Sequence, residues 1–283
     1  MFTIHRSIEP QTSIALNCIG AGPAVFLLHG IGGHRGQWAT QVEALSTEFA
    51  TFAWDARGYG QSHGPQVTSM RDFAEDLLRV LDSLELDRVI AVGHSMGGRI
   101  LMEVCALNPD RLGAIVLSGA QASFLTHLDA AQRHDYVLSR QSLFVDGEVS
   151  PEAARRVARQ VLPQDATDAM IARLVSDFGH LGRDGYLAAL YASAGWDRSD
   201  ILSGLKMPVA VMGGALDTVC PPAECNRIAG LVRQGPATIL DGIGHMPQIE
   251  APGRVTEYLS GFIKKHAHLA SRIDTQALAG ETI

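Results

Sequence analysis

The sequence predicts an α/β fold organised around a mostly parallel β-sheet, and three observations predict it. Strand-length apolar runs alternate with helix-length amphipathic segments, the pattern of repeated βαβ units. The later apolar runs are nearly continuous hydrophobics, as strands covered on both faces should be. A central stretch, 121–205, then carries helical patterning and no convincing strand, so it reads as an insertion between two strands.

Taken in chain order, the strand candidates are Phe2–Ile8, Ser13–Cys18, Val25–Leu28, Thr51–Trp54, Val89–Val92, Ala114–Leu117, Val209–Met212 and Thr238–Leu240. Between Thr51–Trp54 and Val89–Val92, the segment Met70–Leu84 sets Phe73, Leu77, Val80, Leu81 and Leu84 on one helical face. Met96–Leu107 follows a Gly-rich turn, and Asn108-Pro109 ends it. Pro221-Pro222 opens a helix to about Val232, and Arg254–Lys265 is the last. Turn signals at Asp146-Gly147, Ser150-Pro151, Leu162-Pro163 and Gly179–Gly185 cut the insertion into short helices. The expected organisation is a core of residues 1–120 and 206–265, a helical lid at 121–205, and a polar C-terminal tail at 266–283.

The 283 residues suffice for one large domain, and 46% hydrophobic with 19% charged residues is ordinary for a globular enzyme. The net charge of −7, with no Lys/Arg run, argues against nucleic-acid and anionic-membrane partners. Met1–Pro10 lacks an apolar h-region and no run is long enough to span a bilayer, so the expected location is cytoplasmic. Cys18, Cys105, Cys220 and Cys225 are scattered without a metal-type or CxxC spacing, which suits buried thiols in a reducing compartment. No metal is expected, the partner is a small-molecule substrate, and homo-oligomerisation is left open.

The chemistry concentrates in four loops. Gly93-His94-Ser95-Met96-Gly97 lies between a strand and a helix, where two glycines permit a sharp turn that lifts Ser95 above the sheet. A serine hydroxyl needs a base, and the base needs an orienting acid. Asp217 follows the strand Val209–Met212, and His245 follows Thr238–Leu240. Both fall at carboxyl ends of parallel strands, where such sheets bind ligands. The loop after Ala114–Leu117, Ser118-Gly119-Ala120-Gln121, holds no carboxylate, so Asp217 is the acid. The N–H groups of Met96 and of Ile31, in His29-Gly30-Ile31-Gly32-Gly33, are the candidate oxyanion donors.

These pieces together resemble the α/β-hydrolase family: His29-Gly30, the turn Asp55–Ser62, Gly93–Gly97, Asp217 and Gly244-His245, spread over Val25–Leu259. The resemblance implies an eight-stranded, mostly parallel sheet with helices on both faces, a helical lid after the sixth strand, and no cofactor. It also implies that Asp55 and Arg57 are scaffold. Within the family the chain looks most like enol-lactonases and small carboxylesterases. Serine at the nucleophile position argues against haloalkane dehalogenases and epoxide hydrolases. Many C–C bond hydrolases carry Trp after the catalytic His, where Met246 stands here.

Further pocket candidates are Gly32, His34, Trp38 and Met246. Phe124, Leu125, Leu128, Phe144 and Trp196 are candidates for an apolar roof, in competition with a role in the lid's own core. His94 should point away from the nucleophile. Arg99 sits one helical turn past Ser95. In relatives that process acidic substrates an arginine there helps hold a carboxylate; pairing inside the scaffold is the competing role. The expected reaction is cleavage of a carboxylic ester or (enol-)lactone through an acyl-enzyme. The alternatives are a C–C bond hydrolase acting on a dienone acid and a small-molecule receptor with vestigial hydrolysis.

Overall fold

The computed structural model describes residues 1–279. An antiparallel hairpin of β1 (Phe2–Glu9) and β2 (Thr12–Ile19) opens the chain. The βαβ region follows as β3 (Ala21–Leu28), α1 (Ala39–Leu45), β4 (Ala50–Trp54), α2 (Met70–Ser83), β5 (Val89–His94), α3 (Met96–Leu107) and β6 (Leu112–Ser118). The inserted segment carries α4 (Ala130–Ser139), a ribbon of β7 (Phe144–Val145) and β8 (Glu148–Val149), α5 (Pro151–Val161), α6 (Asp168–Phe178) and α7 (Arg183–Ser193). The sheet resumes with β9 (Val209–Gly214), α8 (Pro222–Val232), β10 (Thr238–Leu240), α9 (Pro247–Glu250), α10 (Pro252–His266) and β11 (Arg272–Asp274).

Eight strands lie in the order β1-β2-β4-β3-β5-β6-β9-β10, parallel from β4 through β10, with β1 and β2 antiparallel at one edge. All eight predicted strands are there. The sheet has a ninth strand that the sequence did not suggest, because β11 pairs antiparallel with the start of β3. The stretch beyond His266 is therefore not a free tail. Ser271 N–H donates to Arg88 O and the Thr275 hydroxyl to Gly20 O, so three residues of β11 are held at both ends. Residues 280–283 of the expected tail lie outside the described residues.

Strand alternation builds two cores. Ala24, Phe26 and Leu28 of β3 join Val89 and Ala91 of β5 on the face covered by α2, α3 and α8. Val25, Leu27, Ile90 and Val92 point oppositely, against α1 and α10. Burial on both faces is what the continuous apolar runs require. Helix starts are set locally: Ser69 and Asp72 form a capping box on α2, and Asp129, Ser150 and Thr167 cap α4, α5 and α6. The short helices α1 and α9, of 7 and 4 residues, give too few turns for a periodic signal. Asp146 and Gly147, both at positive φ, turn β7 into β8 inside a segment read as wholly helical.

The insertion leaves and rejoins the sheet through a hydrogen-bonded neck. Phe124 N–H donates to Trp196 O, Gly195 N–H to Phe124 O and Arg198 N–H to Ala122 O. Trp196 Nε1 and Arg198 Nη2 both donate to the buried Glu103 carboxylate of α3, at 2.8 and 2.9 Å, which clamps the neck to the helix after Ser95. No helix among the described residues is long and apolar enough to cross a membrane.

Candidate active site

Ser95 closes β5 and opens α3 with φ +51° and ψ −112°, outside the regions comfortable for a side-chain-bearing residue. The turn is possible because its flanks are glycine. A Cβ on Gly93 would come within 2.5 Å of the Gly97 carbonyl group, and one on Gly97 within 2.5 Å of Leu28 O. The backbone is fixed from the sheet by the Ser95 N–H, which donates to Ser118 O at 2.9 Å.

His245 and Asp217 come from the loops after β10 and β9, and both are buried. His245 Nδ1 donates to Asp217 Oδ2 at 2.7 Å. The other carboxylate oxygen, Oδ1, accepts the N–H groups of Val219 and Cys220, each at 2.8 Å. Three donors thus fix the carboxylate and aim one oxygen at the imidazole. Glu250 of α9 holds the histidine loop from behind. Its two oxygens accept Gly244 N–H at 2.6 Å and Met246 N–H at 2.7 Å, bracketing His245. Burial pushes the Glu250 carboxyl upward while those two N–H groups pull it down. The insertion adds a further tie, His245 N–H to Val161 O at 2.8 Å.

Among the described residues, Ser95 Oγ makes no hydrogen bond to His245. Such contacts commonly tighten only when substrate arrives. Two features place the imidazole near the serine. The His245 ring lies 4.9 Å from the ring of His94, the residue before Ser95. It also lies within 3.5 Å of where a Cβ on Gly119 would sit, next to the Ser118 carbonyl that fixes Ser95. The His94 ring thus packs beside His245; burial, then His245 itself, holds its pKa well below the usual range.

Neither Ile31 N–H nor Met96 N–H donates to any acceptor among the described residues. Unpaired donors at a helix start and in an adjacent loop are what a developing oxyanion requires. The Ile31 loop is braced by its neighbours. His29 Nδ1 donates to Gly30 O at 2.8 Å, and its Nε2 accepts Ala56 N–H at 3.0 Å. That pairing demands a neutral imidazole, and burial lowers the His29 pKa from 6.5 to about 4. The unfolded chain therefore binds a proton between those values that the folded one refuses, and stability present above pH 6.5 is lost as the pH falls toward 4. At pH 5 the expected loss from this group is about 2 kcal/mol. Urea denaturation at pH 7 and pH 5 checks it: the drop should shrink by about that amount in His29→Gln, whereas equal drops would remove His29 from the account.

The other predicted pocket residues separate. Gly32, at φ +82°, touches the insertion: a Cβ there would meet Phe178 at 3.0 Å. His34 also meets α6, its Nε2 lying 3.3 Å from Asp177 Oδ1, while its Nδ1 accepts Gly36 N–H. Trp38 is not a pocket wall. It is 1% exposed and packs with Val25, Leu27 and Val42 in the core toward α1 and α10. Trp196 belongs to the neck clamp, Phe144 packs against Tyr186 within the insertion, and Met246 is buried in the main core. Phe124 alone of the roof candidates meets a charged site residue, its ring lying 4.3 Å below the Arg99 guanidinium. Among the described residues no cluster of three His, Cys, Asp or Glu side chains is disposed to hold a metal. Glu250 was missed because nothing in its spacing distinguishes it from a surface carboxylate.

Comparisons with known proteins bear on the family and the fold. A family model described as the alpha/beta hydrolase fold matches residues 23–252. The chain is 22% identical to 3-oxoadipate enol-lactonase 1 of Acinetobacter baylyi, covering 89% of this chain and 92% of that one. It superposes on a thermophilic esterase from Thermogutta terrifontis, solved with malate bound, with a TM-score of 0.84 at 24% identity over 94% of this chain and 100% of that one. An enol-lactonase from Burkholderia xenovorans gives 0.80 at 22% identity, over 92% and 99%. The family match spans most of the sequence, so the chain belongs to the α/β-hydrolase fold family.

Proposed function

We propose that the protein is a serine hydrolase that cleaves a carboxylic ester or (enol-)lactone through an acyl-enzyme, with 121–205 as its lid. The observation that carries this reading is the Asp217–His245 hydrogen bond beside a serine held at positive φ. Ser95 Oγ attacks the carbonyl as His245 Nε2 takes its proton. Asp217 fixes the tautomer and stabilises the imidazolium. Ile31 and Met96 N–H groups receive the oxyanion. His245 then protonates the leaving alkoxide, and water repeats the attack.

Steady-state assays on p-nitrophenyl esters, an enol-lactone and a ring-cleavage dienone acid test the reading. Many turnovers on the ester or lactone are expected. Turnover confined to the dienone acid would mark a C–C bond hydrolase, and about one event per molecule on every substrate would mark a receptor.

A further inference from the structure

We infer that Asp177, a buried carboxylate of the inserted segment, is a positioning residue for the oxyanion: through His34 and Arg173 it holds the loop that carries the Ile31 N–H. The inference rests on the reading of Ser95 as nucleophile and Ile31 as oxyanion donor, and it adds a residue of the insertion to that machinery.

The buried side of α6 consists of Ile171, Leu174, Asp177 and Phe178, so one charged residue interrupts an otherwise apolar face. Asp177 is 4% exposed. Burying a carboxylate costs far more than burying a leucine, so apolar packing would dock this helix more cheaply. Burial alone would raise the Asp177 carboxyl, yet His34 and Arg173 together hold it below its ordinary value, and it stays an anion.

Its contacts converge on one residue, Gly36. Asp177 Oδ1 accepts Arg173 Nε–H at 3.0 Å and lies 3.3 Å from His34 Nε2. Arg173 Nη2 in turn donates to Gly36 O at 3.1 Å, and His34 Nδ1 accepts the Gly36 N–H at 3.1 Å. One carboxylate oxygen thus governs both the N–H and the C=O of Gly36. Because Nδ1 accepts, the ring carries its proton on Nε2, facing the anion. Without the anion that proton is free to move to Nδ1, which would then oppose the Gly36 N–H. The site has little slack, since a Cβ on Gly36 would come within 2.6 Å of His34 Cε1. Nearer the oxyanion donor, Phe178 seats against Gly32, the residue after Ile31, where a Cβ would meet its ring at 3.0 Å. From the sheet side, Arg35 N–H donates to Asp55 Oδ1 at 2.8 Å, so α6 supplies the opposing hold on the loop. An oxyanion donor displaced by about 1 Å can cost up to about a hundredfold in rate.

Two ketones test the inference: 1,1,1-trifluoro-2-heptanone, which adds to a reactive serine and forms the oxyanion, and 2-heptanone, which stays neutral. On the native enzyme the trifluoro ketone should inhibit p-nitrophenyl butyrate hydrolysis at least about a hundredfold more tightly. In Asp177→Ala its Ki should rise about tenfold and kcat should fall in step, while KM and the Ki of 2-heptanone stay within about twofold. Asp177→Asn, which keeps an acceptor for Arg173 and His34, should recover part of the loss. If Asp177→Ala does not fold, Arg173→Met decides, because that side chain is half-exposed and only its bonds to Asp177 and Gly36 are lost. The trifluoro ketone alone should then weaken, by about threefold. Unchanged Ki values in these variants, or equal weakening of both ketones, would overturn the inference while leaving the hydrolase reading intact. Equal Ki values for the two ketones on the native enzyme, or tight binding of the trifluoro ketone retained in Ser95→Ala, would instead overturn the reading beneath it.

Discussion

Replacing Ser95 with alanine should lower kcat for ester hydrolysis by about five to six orders of magnitude and leave the fold in place. In the proposed mechanism that hydroxyl forms the acyl bond, and removing it leaves the proposed oxyanion donors in place. Residual rate should then reflect those donors acting on water. Alanine also suits the local packing, since the turn is dictated by Gly93 and Gly97 and by the Ser95 N–H bond to Ser118 O, none of which needs the hydroxyl. Circular dichroism and the urea midpoint should match the native protein. A variant within tenfold of the native rate would show that another group forms the bond.

Asp217→Asn should cost about four orders of magnitude in kcat with little change in geometry. The argument follows the hydrogen bonds. Oδ1 accepts two backbone N–H groups, so an asparagine there keeps its carbonyl oxygen on Val219 and Cys220 and turns its NH2 toward His245. That NH2 is a donor facing Nδ1, the atom that donates in the native site. The imidazole must then carry its proton on Nε2, where it can no longer accept one from serine. The defect should be largest at neutral pH and recede in strong alkali, where serine is deprotonated without help. A loss below tenfold would show that Asp217 does not set the tautomer.

Much of this was legible in the sequence because each catalytic candidate carries its own context. Ser95 stands between a buried strand and an amphipathic helix, and Asp217 and His245 each follow an apolar run of strand length. Those patterns are local, and local patterns survive in sequence. What was not legible depends on contacts between distant segments. Trp38 lies seven residues past Ile31, close enough in sequence to suggest a pocket, yet its indole turns under the sheet. The strand at Arg272–Asp274 is short, and only its partner at Ala21–Pro23 reveals it. Arg99 could serve the pocket or pair inside the scaffold, and the eligible scaffold acid, Glu103, is taken by two residues more than ninety positions away. No spacing rule announces that competition.

The most direct test of the whole account is the mass of the native enzyme after reaction with a fluorophosphonate, followed by mapping of the modified peptide. One equivalent should add, on Ser95, and addition should slow sharply in His245→Ala, because only a serine whose proton an imidazole removes attacks phosphorus readily. Native enzyme that hydrolyses esters while remaining unmodified, or modified at some other residue, would contradict the assignment of Ser95 and His245.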